Sequence, residues 1–450
     1  MDKYSQQLAK FIAGLRYEDL PPKTVEAAKE KLIDYIAVSV AGVRTGTLFS
    51  LMLPWLQRRG EKAVSHVVAT KNKFGASTAA LLNGVASHAI DLDDGHREAL
   101  GHPGVCVWSA VLAEAEARNL GGRDAISAAV AGYDVFVRVG RALNPGIITR
   151  GFHTTGVCGS LAAASAVGKL LSLDESKMAS ALGIAGLFSS GLMIVTLQGQ
   201  MMKPMNAGRA AESGVMAAEL AELGADGAKE ILESRDGFAQ AFSGQTFSEN
   251  DFESLGRQYK VGECYIKYYP ACRHAHAAID AAFVLRKKVD LRKIDNIVIH
   301  AYPNALQLTL KHNLPEDDAA TRFNLAFAVA LALVTGRADE ESFSMESVKN
   351  PMIQSLFGKT KIISDPSLDN REKNIRGIVV EITTDSGERI TETVLLPRGE
   401  PENPGTEEDI RRKFDGCIGN FWNDEKKNRV FSAALELENW NIGEFLTLME

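Results

Sequence analysis

From residue 4 to about residue 250, Ala, Leu and Gly recur at three- and four-residue spacing almost without interruption. That is the period of a helix face, and it leaves such a chain little choice but helices packed on helices. Small residues dominate residues 159–168 and 179–191, so the axes of those helices can approach closely in a buried bundle. Pro21-Pro22 precedes a helix expected over 24–42, with Ala27, Leu32, Ile33, Ile36 and Ala37 on one face. Asp124 and Asp174 read as N-caps of helices reaching Arg141 and Ala185. Around Gly262 the character changes. Runs rich in β-branched residues at 294–302, 375–382 and 390–396 predict strands, the last two joined by a hairpin at Asp385-Ser386-Gly387, with a helix at 323–335 between the first and second. Residues 397–405 hold three prolines and two glycines and read as a linker, and 407–414 and 428–437 are helical again. The expected class is mainly α: a large all-helical domain from residues 1–262 and 399–450, and a smaller α+β domain from 263–398. Two domains are also what 450 residues lead one to expect.

Composition narrows the partners. The net charge is −7, with no basic run and no clustering of aromatics with Lys or Arg, which argues against a nucleic-acid binder. The five cysteines are odd in number, widely spaced and without a Cys-x-x-Cys pair, as in a reducing compartment. Residues 1–14 lack a basic-then-apolar signal pattern, and no apolar run reaches the ~18 residues of a membrane span. A cytoplasmic protein without a membrane partner is expected.

Chemistry concentrates in four places. Residues 88–104, His-Ala-Ile-Asp-Leu-Asp-Asp-Gly-His-Arg-Glu-Ala-Leu-Gly-His-Pro-Gly, hold four carboxylates and three imidazoles. Asp91, Asp93 and Asp94 cannot all ionise side by side at low cost, and groups so placed shift one another's pKa, the condition acid/base chemistry needs. The segment reads as a helix end running into a loop. Arg150-Gly151-Phe152-His153-Thr154-Thr155-Gly156 puts a His between glycines ahead of a helix, where exposed N–H groups favour an anion. Lys203 lies in an apolar, glycine-bearing turn before another helix, and a lysine desolvated there acts as acid or base or holds a carboxylate. Residues 265–276 combine Lys267, Arg273, His274 and His276 with three tyrosines; on a strand His274 and His276 would share a side. Six of the nine histidines fall in these segments. The bland readings are a structural His153, a divalent-metal site in the Asp/His cluster, and cysteines that act as small buried hydrophobes.

In their order and spacing these residues resemble the MmgE/PrpD family, whose members include 2-methylcitrate dehydratase, cis-aconitate decarboxylase and iminodisuccinate epimerase. The resemblance runs nearly end to end. It takes in Leu-Pro-Pro-Lys-Thr-Val at 20–25, Asp34-Tyr35-Ile36-Ala37, His-Ala-Ile-Asp-Leu-Asp-Asp with the later His-Pro-Gly, and Gly151 to Gly156. It continues through Lys203-Pro204 with Gly208, Ala210 and Ala211, then Tyr268-Tyr269-Pro270 with His276, and the prolines 401 and 404 before Lys413-Phe414. The resemblance implies a helical domain built from both chain ends and an α+β lid domain, a homodimer, no cofactor and a metal-free site. By position, Asp91, His102, His153 and Lys203 match the family's active-site positions and His276 its lid motif; Asp94, His96 and Arg273 are further candidates for binding substrate. Two positions depart from the pattern. Gly95 stands where decarboxylase and dehydratase members have Thr, and Phe327 where a decarboxylase-type member offers Tyr. The expected function is a cofactor-independent hydro-lyase, like 2-methylcitrate dehydratase, that abstracts a proton next to a carboxylate of a small di- or tricarboxylate. The alternatives are an epimerase of an amino- or imino-dicarboxylate, a cis-aconitate decarboxylase-like carboxy-lyase, and a silent carboxylate-binding protein.

Overall fold

The computed structural model describes residues 3–198, 200–370 and 375–450. The chain forms two compact units, residues 1–266 with 410–450, and residues 267–409. The first is all-helical apart from a two-residue strand pair. Its main helices are α1 (Pro22–Thr45), α2 (Ala76–Ser87), α3 (Gly104–Ala117), α4 (Gly122–Leu143), α5 (Thr154–Leu170), α6 (Glu175–Phe188) and α7 (Met205–Glu222). Every residue of α5 except Lys169 is buried, as befits a helix apolar all round, and α4, α6, α7 and α3 surround it.

The small residues set how closely these helices approach. Gly84 of α2 lies against Gly208 of α7, where an added Cβ would come within 2.7 Å of the Gly208 Cα. Gly159 of α5 likewise meets Cys106 and Ala210. The Gly84–Gly208 crossing brings the C-terminal end of α2, which leads into the acidic segment, beside the helix that follows Lys203. Gly208→Val should therefore cost about 1–3 kcal/mol, the usual range for overpacking, because its branches would meet the Leu81 carbonyl and the Val85 side chain. Gly416 sits in the helix Glu407–Ile418 with open space around it, so Gly416→Ala should instead gain about 0.4–1 kcal/mol. Urea midpoints that moved together in one direction would contradict the contrast.

Asp174 caps α6 as expected, accepting from Lys177 N at 2.9 Å. Asp124 does not cap α4. It lies in the first turn and reaches back to Gly121 N at 3.3 Å, because Gly121 already supplies the extended residue that opens the helix.

In the second unit, β1 (Ile294–Ala301), β2 (Thr360–Ser364), β3 (Ile378–Thr384) and β4 (Arg389–Val394) form a sheet in the order β2-β1-β3-β4. Only the β1/β2 pair is parallel. The hairpin read at residues 385–387 joins β3 to β4, with Ile382 opposite Ile390. Ile297, Ile299, Val380 and Ile382 point into a core shared with α8 (His276–Leu285) and α9 (Leu325–Thr335). His274 and His276 are not on a strand: Arg273–Ala275 is a 3-10 turn and His276 opens α8. Both units are as the sequence class predicts, mainly helical with one small α+β body. Among the described residues no single helix is long and apolar enough to cross a membrane.

Candidate active site

The acidic segment leaves α2 at His88, which ends that helix, and re-enters helix at Gly104. Between them the chain is pinned from three sides. Asp34 of α1 accepts from Asp94 N at 3.1 Å. Buried Lys413 pairs with Asp34 and donates to the Leu92 carbonyl at 2.6 Å. Thr155 at the start of α5 accepts from His102 N at 3.2 Å, and Asn144 donates to the Ala99 carbonyl at 2.7 Å. These scaffold contacts give Asp34, Lys413 and the Thr154-Thr155 pair their work: they hold a loop dense in polar groups inside a helical core, where each group must find a partner.

The three aspartates diverge. Asp91 takes φ 56°, in the left-handed region, which an Asp tolerates better than most residues. Its carboxylate pairs with Lys203, both side chains nearly buried. Asp93 is fully buried and its Oδ2 faces two imidazoles, His88 Nδ1 at 2.9 Å and His102 Nδ1 at 3.0 Å. Burial alone would raise its pKa, but the two imidazoles reverse this and hold it well below the carboxylate range. Asp94 works inward. Its oxygens accept from Gly104 N at 3.0 Å and from the Tyr133 hydroxyl at 2.7 Å, and burial followed by the Asp34 charge pushes it up to about 7.

The histidines divide as well. His102 Nδ1 is also 2.6 Å from the Asp94 carbonyl. With a carboxylate and a carbonyl as its neighbours, Nδ1 must carry the proton, so Nε2 is left with its lone pair. The His88 ring lies 5.0 Å from that of His102 and 6.0 Å from that of His153. Burial lowers His88 to about 4. Burial, then electrostatic coupling to His88, Lys203 and His102, lowers His153 well below its ordinary value. His96 does local work: its Nδ1 accepts from Ala99 N at 3.0 Å and its Nε2 lies 3.8 Å from Glu263. Asp91, His102, His153 and Lys203, the four active-site candidates, all lie in the first unit with His88 and Asp93, and His153 feels His88, Lys203, His102 and Asp91 electrostatically.

Arg273 and His276 lie in the second unit, both buried there. Arg273 pairs with Glu400 at 2.9 Å and donates to the Arg398 carbonyl at 3.0 Å and to His276 Nδ1 at 2.9 Å. His276 Nε2 donates to the Ala271 carbonyl at 3.2 Å. Within their own unit these groups brace the turn at 397–403. Phe327 is fully buried with its ring 6.4 Å from that of Phe343, in a core where a phenol would need a partner of its own.

Three residues that the sequence did not single out belong here. His88 is one and Asn206 another, with its Nδ2 3.1 Å from His153 Nδ1. The third is Tyr265, which bridges to Gly95 through backbone bonds of 2.8 and 3.1 Å. A Cβ at position 95 would run into the Tyr265 hydroxyl, so a hydroxyl stands beside that position although residue 95 has no side chain.

His88, Asp93 and His102 present ligand-type atoms within 4.8 Å of one another. Both Nδ1 atoms lie at hydrogen-bond distance from the same carboxylate oxygen, and His102 Nδ1 is also close to a carbonyl, an arrangement that two ring N–H donors would satisfy. All five cysteines are buried thiols outside any disulfide.

A family model described as the MmgE/PrpD N-terminal domain matches residues 6–250, and one described as the MmgE/PrpD C-terminal domain matches residues 269–437. The chain is also similar along nearly its whole length to characterised proteins. It is 26% identical to the cis-aconitate decarboxylase-like protein oryM of Aspergillus oryzae, over 98% of this chain and 96% of that protein. It is 28% identical to the cis-aconitate decarboxylase of Aspergillus terreus, over 96% and 92%. With the mouse cis-aconitate decarboxylase it shares 27% identity over 91% and 86%. Both family models are matched in order, and between them they take in the acidic loop, the His153 turn and Lys203 as well as the α+β unit: the chain belongs to the MmgE/PrpD family.

Proposed function

We infer that this protein is a lyase that acts on a small di- or tricarboxylate by moving a proton at a carbon next to a carboxylate. The observation that carries the reading is His102, whose Nδ1 faces Asp93 and the Asp94 carbonyl. An imidazole so held has a bare Nε2, and when that nitrogen takes up a proton, Asp93 stabilises the imidazolium, as the carboxylate does in a carboxylate–histidine pair. Lys203 supplies fixed positive charge and His153 a neutral donor, the groups needed where a carboxylate gains electron density. Asp91 orients Lys203 through their ion pair.

Decarboxylation of cis-aconitate, or of a close tricarboxylate, is the leading reaction. It is supported by the names of the near full-length relatives and by the position of the Tyr265 hydroxyl, which stands beside Gly95 where a threonine is missing. The carbon–carbon bond to one carboxylate breaks and CO2 leaves. The electron pair passes into the carbon framework next to a remaining carboxylate. His102 Nε2, protonated from water beforehand with Asp93 stabilising the imidazolium, delivers that proton to carbon and ends as the bare imidazole. Hydro-lyase chemistry is the second reading, favoured by a basic His102 and a proton-bearing His153 in one network, since elimination needs a base at carbon and an acid at the departing hydroxide.

Proton NMR of metal-stripped protein with cis-aconitate, 2-methylcitrate, citrate and iminodisuccinate separates these. Loss of a carboxylate from cis-aconitate is expected. Elimination of water from a hydroxy acid would move the assignment to hydro-lyase, and epimerisation without elimination would contradict a lyase.

A further inference from the structure

A neutral imidazole has one proton to place on two nitrogens, and the partner of one nitrogen decides what the other can do. His153 is such a group. His88, Lys203, His102 and Asp91 all act on it electrostatically, and burial is the largest influence against its charging. Its Nδ1 lies 3.1 Å from the Asn206 Nδ2. An amide NH2 group only donates, so Nδ1 accepts and the ring proton belongs on Nε2.

The surroundings leave the amide little room. Asn206 is in the first turn of α7. Its Oδ1 lies where a Cβ on Gly191 would approach to 3.2 Å, and Gly191 has φ 125°, a conformation L side chains rarely adopt. The Gly191 carbonyl accepts from His153 N at 3.0 Å, which ties the same glycine to the histidine. Across from it Gly156 leaves room for the Ser190 carbonyl, which a Cβ would strike. Two glycines thus let the chain on either side close on Asn206 and His153.

We propose that Asn206 is a positioning residue whose amide holds His153 in the Nε2–H form, so that the site has one imidazole that donates and one, His102, that accepts. Two neutral imidazoles near one lysine would otherwise be free to present the same face. With opposite tautomers, His153 donates to a substrate carboxylate or leaving oxygen while the bare nitrogen of His102 faces the reacting carbon. The role rests on the function inferred above, but the tautomer itself does not.

The test is a two-bond nitrogen–proton correlation spectrum of the full-length protein labelled with 15N-histidine, without substrate, with His153 assigned by the signal missing in His153→Gln. The wild type should show His153 protonated on Nε2 with an unprotonated Nδ1. Asn206→Asp, whose carboxylate accepts, should move a proton onto Nδ1, and Asn206→Ala should yield a mixture of the two forms. A merely structural Asn206 would change the melting temperature and leave the tautomer alone. The proposal fails if wild-type His153 carries its proton on Nδ1, or if its form is the same in all three proteins. Should Asn206→Asp not fold, the wild-type spectrum and Asn206→Ala still decide. A protein silent on every carboxylate tried would count against the inferred function and not against this assignment.

Discussion

His102→Gln should lower turnover by about 100- to 10,000-fold, the range for loss of a general acid or base, with little change in melting temperature. Gln keeps a polar group that can donate to Asp93 and the Asp94 carbonyl, the two neighbours of the wild-type Nδ1, so the loop keeps its anchors while the titrating nitrogen disappears. Asp93→Asn should cost activity on a similar order by a different route. The amide no longer stabilises an imidazolium, and it presents a donor as well as an acceptor to His88 and His102, both of which need an acceptor there. A kcat within threefold of wild type in His102→Gln, measured on whichever substrate the protein turns over, would remove His102 from the proton transfer.

Lys203→Ala should lower kcat/KM by at least about 100-fold. The lysine is the cation paired with Asp91, and both side chains are nearly buried. Its loss removes positive charge from the substrate carboxylate and leaves Asp91 facing the site without that neutralising partner. A substrate anion then meets net repulsion, so KM should rise as well as kcat fall. Lys203→Arg should not restore activity, because a planar guanidinium does not occupy the space of a compact ammonium. Full activity of the arginine variant would show that any cation suffices and that the ion-pair geometry is irrelevant.

Much of this was readable in the sequence, for identifiable reasons. The helical unit follows from Ala/Leu/Gly periodicity, and the glycines that mark it, Gly84, Gly159 and Gly208, are where helices meet most closely. The strands of the second unit followed from their β-branched runs, and the hairpin from Asp385-Ser386-Gly387. The density of carboxylates and imidazoles at 88–104 located the network. Composition did not distinguish the three aspartates, because their roles depend on backbone direction: the left-handed turn at Asp91 aims it at Lys203, Asp93 faces the imidazoles, and Asp94 faces Tyr133 and Gly104. Asp94 meets Gly104 and Tyr133, and His96 meets Ala99 and Glu263, partners that residue type alone does not announce.

Asn206 was not singled out, and Tyr265 was only one of three tyrosines in its segment, for another reason. An amide and a phenol are ordinary residue types, and what makes them matter is a partner distant in sequence, His153 or Gly95. One local signal for Asn206 existed. It follows Lys203 by three residues at the start of a helix, a spacing that puts two side chains on one face. His88 could have been read from its place five residues before Asp93, at the end of a helix, where the chain turns back on itself.

Exchange of a proton between His102 and the carbon next to a substrate carboxylate would be recorded as deuterium in the product. The protein is run in D2O with cis-aconitate, and the product is examined by proton and deuterium NMR. One deuterium is expected at the carbon that takes up the proton, and no such product from His102→Gln above the uncatalysed background. Product formed by His102→Gln at the wild-type rate, with the same deuterium content, would contradict proton exchange through His102.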